Sequence, residues 1–376
     1  MNQIQLVDLH TQYLKIKEEI DTAVLNVIDS TAFINGPEVK SFAAELEAYL
    51  NVKHVIPCAN GTDALQIALM AIGAKPGYEI LTPSFTYIAT AEVIALLQLK
   101  PIFVEVDTDT FTIDVEDAKS KITSKTKAII PVHLYGQCAN MDAIMELANK
   151  ENIFVIEDTA QAIGSDYTNS SGEKAKAGCI GHIGTTSFFP SKNLGCYGDG
   201  GAMMTNDDEL AAQLKMISNH GQRIKYHHDM IGCNSRLDSI QAAVLRIKLK
   251  HLDEYTEARN AAADFYSEAF KNIEEITTPY LAPYSSHGFH QYTIKLDNVD
   301  RDALQEYLNE NDIPANIYYP VPVHLQKGYT EYGAKAGDMP KTESLTSKVL
   351  SLPMHTELTE DQLQYIVGHV IRFIKG

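Results

Sequence analysis

From His54 to Glu157 the chain alternates short apolar runs with amphipathic stretches, and no other feature narrows its fold as much. The runs occupy His54–Cys58 and residues 79–82, 101–106, 128–132 and 154–157, while helical patterns fill 62–72, 87–97 and 141–150. Strands separated by a helix-length crossover pair in parallel, and a parallel sheet needs helices on both faces. The spacing therefore predicts a doubly covered α/β sheet. Two more strands follow near 185–189 and at Gly201–Thr205, on either side of a glycine-rich loop.

Ahead of the sheet lies a helical stripe made by Tyr13, Ile16, Ile20, Val24, Val27 and Ile28. Gly36-Pro37 then opens a second helix, with proline at the favoured first position and Phe42, Leu46 and Leu50 inside. A long helical pattern over 237–270 passes the chain to a second unit. That unit reads as strand 290–296, helix 301–311, strand 315–318, and helices 341–350 and 359–374. The 376 residues exceed one ordinary core of about 100–200 residues. The expected division is a large domain at 1–250, containing the N-terminal helices, and a small C-terminal α/β domain at 251–376.

A formal net charge of −18, from 31 basic and 49 acidic residues, repels phosphate backbones and anionic lipid. Nucleic acid and membrane surfaces are thus poor partners, and an anionic small substrate would need a local basic cluster. Five cysteines without a CxxC pair read as free thiols in a reducing compartment. The first twenty residues lack a basic segment followed by an apolar core, and no apolar run approaches the roughly 18 residues of a membrane span. A cytoplasmic location is expected.

Four segments carry the residue types of a reactive site. In Cys58-Ala59-Asn60-Gly61-Thr62-Asp63, a strand gives way to a helix, and Gly61 and Thr62 sit where free amides and the helix dipole suit a phosphate monoester. The same residues also fit an ordinary capped helix. In Phe154-Val155-Ile156-Glu157-Asp158, an apolar strand ends in acids at the carboxyl edge of a sheet, where ligands bind. An Asp there can hold a ring nitrogen protonated or merely cap a helix. In Ser187-Phe188-Phe189-Pro190-Ser191-Lys192-Asn193-Leu194-Gly195, a lone lysine lies between apolar strands, where lost hydration lowers an amine pKa. A solvated lysine in a structural turn is the plain alternative. The fourth, from Asn219 through His227-His228 to Asn234-Ser235-Arg236, holds the basic concentration that the chain otherwise lacks. Adjacent histidines on one element point in different directions and no carboxylate accompanies them, so no metal is expected.

In this order NGTDALQ, PSFTY, HLYGQ, IEDTAQ, SFFPSKNLGCYGDGGA and NSRLDSIQAAVL resemble the DegT/StrS family of sugar-nucleotide aminotransferases, over nearly the whole chain. The resemblance implies the aspartate-aminotransferase-like fold of pyridoxal-phosphate fold type I, with a mostly parallel seven-stranded sheet and a smaller C-terminal domain. It implies pyridoxal 5′-phosphate as cofactor, bonded by Lys192, with Asp158 against the ring nitrogen and Gln161 near the phenolic oxygen. Tyr87 would stack on the ring, and Gly61, Thr62 and Ser187 would cup the phosphate, completed by Asn234 of a neighbouring subunit in a homodimer. The motifs resemble most the group acting at C3 of UDP-2-acetamido-2-deoxy-3-oxo-glucuronate with glutamate as amino donor, a step of O-antigen and other surface-polysaccharide synthesis. Arg236 would meet the sugar carboxylate there, with His228, Tyr318 and Tyr319 also at the substrate. A group acting on dTDP-3-keto-6-deoxyhexoses shares NSRLD, and amination at C4 is a further alternative. Many members carry His-Tyr before Pro-x-Pro, where this chain has Tyr318-Tyr319.

Three other activities fit less well. Sugar dehydratases resembling this family have histidine where Lys192 stands. A cofactor-binding regulator would need a DNA-binding module or a basic face. A nicotinamide enzyme would show G-x-G-x-x-G after the first strand.

Overall fold

The computed structural model describes residues 3–376. Its centre is a seven-stranded sheet: β1 (His54–Cys58), β2 (Glu79–Pro83), β3 (Lys100–Val104), β4 (Thr126–Ile129), β5 (Phe154–Asp158), β6 (Ile183–Ser187) and β7 (Gly201–Thr205). Their spatial order is β1-β7-β6-β5-β4-β2-β3. All neighbours pair in parallel except β7, which runs against both β1 and β6. This is the mostly parallel α/β fold that the alternation predicts, and it carries helices on both faces. One face buries Leu65, Ile67 and Leu69 of the helix Gly61–Ala71 with Ile80, Ile130 and Ile156. The other buries Ile144 and Leu147 of the helix Met141–Glu151 with Leu81, Val104, Ile129 and Val155.

Register decides what meets at the sheet's edge. Gly201 pairs with both Cys58 and Ser187, so the ends of β1 and β6 stand level across the start of β7. Asp158, the last residue of β5, pairs with Thr185 of β6. The strand ends that bear the candidate residues therefore form one rim.

The sequence pattern and the structure part in four places. The 13–28 stripe is two helices, Leu9–Lys15 and Lys17–Ser30, joined at buried Ile16. The long pattern at 237–270 is likewise two, Ser239–Leu249 and Leu252–Phe270. Its halves serve different cores, which one straight helix could not reach: Ala242, Leu245 and Leu249 pack with Phe42 and Leu46. Ala262, Ala263, Tyr266 and Phe270 pack with the C-terminal strands and helices. Residues 315–318 make a single bridge, Asn316 to Ser351, rather than a strand. The helix expected at 341–350 stops at Lys348, and Val349–Leu352 becomes a strand paired with Tyr292–Leu296. All four of its residues are buried, so pairing on two covered faces overrides the helical spacing. Among the described residues no helix is long and apolar enough to cross a membrane.

Candidate active site

Asp158 is 6% exposed at the carboxyl end of β5. Its Oδ2 accepts from Thr90 Oγ1 at 3.0 Å and its Oδ1 from the Ala160 amide at 3.2 Å. Burial pushes its pKa above the usual carboxylate value, against the pull of those bonds and of the Lys192 charge. Lys192 follows β6 in a tight turn closed by its own amide on Phe189 O at 2.8 Å. The residue is half-buried, and its amine makes no hydrogen bond or ion pair among the described residues. Burial lowers the Lys192 pKa to about 8, opposed by Asp158. A fraction of the amine is thus unprotonated near neutral pH, as a nucleophile toward a carbonyl requires.

The start of the helix Gly61–Ala71 closes the opposite side. Asn60 caps it, accepting from Asp63 N at 2.7 Å, which leaves the Gly61 and Thr62 amides without helical acceptors. A Cβ on Gly61 would lie 2.7 Å from Ser187 Cβ, so only glycine lets this helix end approach β6 so closely. Ser235 Oγ takes the Ala59 amide at 3.0 Å and ties the loop of Asn234 and Arg236 to this corner.

Aromatic residues line the remaining side. Gln161 Oε1 accepts from Tyr135 N at 2.8 Å, and its Nε2 donates to Tyr319 Oη at 3.1 Å. The Tyr319 ring lies 6.3 Å from Tyr87 and 6.2 Å from Phe85. Tyr87 is 58% exposed, which gives a planar ligand a free ring face. Tyr318 and Tyr319 are joined by a cis peptide, and Tyr135 Oη donates to Tyr318 O.

Lys192, Asp158, Gln161, Ser187, Gly61, Thr62, Tyr87, Tyr318 and Tyr319 thus surround one rim. The other three predicted residues make no side-chain bond to that rim among the described residues. His228 is exposed in the hairpin of Gln222–Ile224 and His227–His228, its Nδ1 engaged with His220 O at 2.8 Å. Asn234 is exposed and bridged to Asn219, and Arg236 has no hydrogen bond or ion pair among the described residues. Sequence reasoning missed Thr90 and Tyr135. Tyr135 lies within HLYGQ, but nothing in that motif signals its positive φ of 59° or its contact with Gln161. No group of three or more metal-binding side chains occurs among the described residues.

The donor set fits pyridoxal phosphate: a helix end that a Cβ would fill for the phosphate, a buried acid for the ring nitrogen, and an amine of lowered pKa for the aldehyde. The model of the DegT/DnrJ/EryC1/StrS aminotransferase family matches residues 14–371. A "pleiotropic regulatory protein" of Geobacillus stearothermophilus is 45% identical over 99% of both chains. The UDP-2-acetamido-2-deoxy-3-oxo-D-glucuronate aminotransferase of Pseudomonas aeruginosa is 43% identical over 96% of this chain and 98% of its own. The crystal structure of DesV from S. venezuelae, in complex with a ketimine intermediate, superposes with a TM-score of 0.95 at 38% identity, covering 100% of each chain. The chain belongs to the DegT/DnrJ/EryC1/StrS aminotransferase family and is a pyridoxal-phosphate-dependent sugar aminotransferase of fold type I.

Proposed function

We propose that this enzyme transfers the amino group of glutamate to the C3 keto carbon of UDP-2-acetamido-2-deoxy-3-oxo-glucuronate, in the cytoplasm, toward a surface polysaccharide such as O-antigen. The observation that carries the transamination is that Lys192, in the turn after β6, lies within electrostatic reach of Asp158 at the end of β5, each with a pKa displaced by burial. Bound between them, pyridoxal phosphate supplies an electron sink that lets an amino group leave one carbon and join another. Asp158 holds a proton on the ring nitrogen, steadied by Thr90. Lys192 would bond the aldehyde of the cofactor and, when released from it, would hold and move the proton at the Cα of the donor. Gly61, Thr62 and Ser187 anchor the phosphate, Tyr87 stacks on the ring, and Gln161 fixes the phenolic oxygen.

The choice of sugar is supported by Arg236, whose guanidinium has no partner among the described residues and would suit a uronate carboxylate. Exposed Asn234, His228, Tyr226 and Ile231 support a homodimer in which a second copy completes the phosphate cup and the sugar site. Residues 1–250 would form the cofactor domain and 251–376 the smaller one. A second substrate class, dTDP-3-keto-6-deoxyhexoses, is supported by the shared Asn234-Ser235-Arg236-Leu237-Asp238 motif, and Tyr318, where many relatives have His, points to altered contacts with the sugar hydroxyls.

The test loads the protein with pyridoxal phosphate, adds glutamate, and follows the visible band of the cofactor. Each keto-sugar nucleotide is then supplied in turn and the amino product is sought by mass spectrometry. Loss of the band with glutamate and amination of the UDP-glucuronate substrate is the expected result. Amination of the dTDP sugar alone would move the assignment to the second class.

A further inference from the structure

The loop that carries Tyr87 and the segment that carries Tyr319 are fastened together by a buried relay that the transamination chemistry leaves unused. Ser84 lies shortly before Tyr87 and is fully buried; His324 lies shortly after Tyr319 and is 1% exposed. Ser84 Oγ and His324 Nδ1 are 2.6 Å apart. The His324 amide donates to the same Oγ at 3.2 Å, and Val323 N donates to Ser84 O at 2.9 Å. That hydroxyl has no other acceptor among the described residues, and Nε2 faces a carboxylate that can only accept, so the hydroxyl hydrogen goes to Nδ1. The network therefore assigns the ring hydrogen to Nε2, which faces Glu343 Oε1 at 3.3 Å. Glu343 in turn accepts from Gly337 N at 2.8 Å and Met339 N at 3.2 Å.

A second set of bonds runs from the same loop to the cofactor side. Thr90 Oγ1 gives its hydrogen to Asp158, so Thr86 Oγ1, 3.1 Å away, donates to Thr90. The loop from Ser84 to Thr90 is thus held at one end by Asp158 and at the other by His324. Lys192 and Asp158 are positioned by β5 and β6, which the His324 relay does not touch. The part of the site that both ends of the relay flank is the gap between Tyr87 and Tyr319, whose rings stand 6.3 Å apart.

We propose that His324 is a positioning residue for the sugar-nucleotide substrate: clamped between Ser84 and Glu343, it sets the separation of Tyr87 and Tyr319 without touching substrate. The inference rests on the roles proposed above for those two tyrosines. It assigns the relay to substrate affinity rather than to proton transfer.

The test compares Ser84→Ala, His324→Gln and His324→Asn in the loaded enzyme and in the apoprotein. Asparagine places an amide oxygen near the site of Nδ1 and preserves the Ser84 bond, whereas glutamine reaches toward Nε2 and preserves only the Glu343 bond. Ser84→Ala and His324→Gln are expected to raise KM for the keto sugar about tenfold with kcat within about threefold, and His324→Asn to stay near the native values. In the apoprotein, hydrogen exchange over residues 85–90 and 317–322 is expected to quicken in the first two variants and not in the third. Unchanged KM in Ser84→Ala and His324→Gln, or a joint fall of kcat and melting temperature in all three, overturns the proposal. Rescue by glutamine rather than asparagine overturns it as well. If the native enzyme aminates no keto-sugar nucleotide, the functional assignment fails, while the exchange pattern still decides whether the relay fixes the two loops.

Discussion

His133 Nε2 lies 2.9 Å from Glu157 Oε2, and neither side chain has any exposed surface. His133 Nδ1 accepts the Ala139 amide at 3.0 Å, so Nε2 carries the hydrogen and donates it to the carboxylate. Glu157 also accepts the amides of Gly178 at 2.9 Å, Ile180 at 2.7 Å and Gly181 at 2.5 Å. One carboxylate thus ties the loop after β4 and the loop before β6 onto β5, immediately behind Asp158. The Asp158 amide and carbonyl are fixed on the same route, by Pro131 O at 2.9 Å and the His133 amide at 3.0 Å.

Glu157→Gln keeps the shape but replaces an acceptor-only carboxylate with a group that has two donors to place. Loops that four N–H groups hold in register would face an N–H of the amide. Leaving a buried donor without its acceptor costs about 1–3 kcal/mol, and a loss near the upper end of that range is expected in urea unfolding of the apoprotein. Cofactor affinity should fall with it, because Asp158 shares the strand. A stability loss well under 1 kcal/mol would mean that the loops are held by packing alone.

Lys192→Ala is expected to abolish transamination and leave the fold intact, since the amine has no partner among the described residues. The sign of the pH dependence follows from its pKa, which falls from 10.5 to about 8 on folding. Below about pH 8 the folded protein carries a desolvated charge at full cost. Between about 8 and 10.5 the unfolded chain binds more protons than the native one, so stability rises with pH there. Lys248, also buried and lowered to about 8, adds a contribution of the same sign. Burial raises the thiol pKa values of Cys58, Cys138 and Cys179, which act in the opposite sense above about pH 9, so the Lys192 contribution is expected as a gain from pH 8 toward 10 in the native apoprotein relative to Lys192→Met. The rate at which apoprotein captures pyridoxal phosphate should climb through about pH 8. A flat capture rate across that range, or turnover by Lys192→Ala, would remove Lys192 from its assigned role.

Gly61→Ala tests the phosphate cup. Its new Cβ would sit 2.7 Å from Ser187 Cβ, a contact that real structures relieve by moving the helix end or the strand. Overpacking of this kind costs about 1–3 kcal/mol. Equilibrium binding of pyridoxal phosphate is expected to weaken by at least about tenfold, more than binding of the dephosphorylated pyridoxal. Equal losses for both ligands would place the phosphate elsewhere.

Much of this site was legible because its residues stand where regular elements end. The strand at 154–157 and the helix after Asn60 announce themselves by apolar spacing and capping, so Asp158, Gly61 and Thr62 could be set at element ends from local pattern, while their roles came only from the family resemblance. Lys192 was legible as a lysine in an apolar, glycine-rich context, although its lowered pKa is a property of tertiary burial. What the sequence hid depends on long-range pairing. Ser84 and His324 touch across 240 positions, and His133 and Glu157 across 24. Neither pair has a spacing that a helix or strand would reveal. The break between Leu249 and Leu252 is hidden for the same reason, because continuous helical periodicity cannot say that two halves bury against different cores. Val349–Leu352 is a strand only because Tyr292–Leu296 lies beside it.

Arg236→Ala separates the two substrate classes. A guanidinium that meets a uronate carboxylate contributes a charge-assisted bond of about 1.5–3 kcal/mol. Its loss should raise KM for the UDP-glucuronate substrate by roughly tenfold to a hundredfold. The glutamate half-reaction uses no sugar carboxylate and should proceed at close to the native rate. Lysine at this position keeps the charge but not the bidentate geometry, so Arg236→Lys should recover only part of the affinity. If the alanine variant binds the uronate as tightly as the native enzyme, Arg236 serves another group on the substrate and the dTDP-deoxyhexose class becomes the better assignment. A matching loss in both half-reactions would instead place Arg236 at the donor carboxylate, which both substrates of the cycle must share a site with.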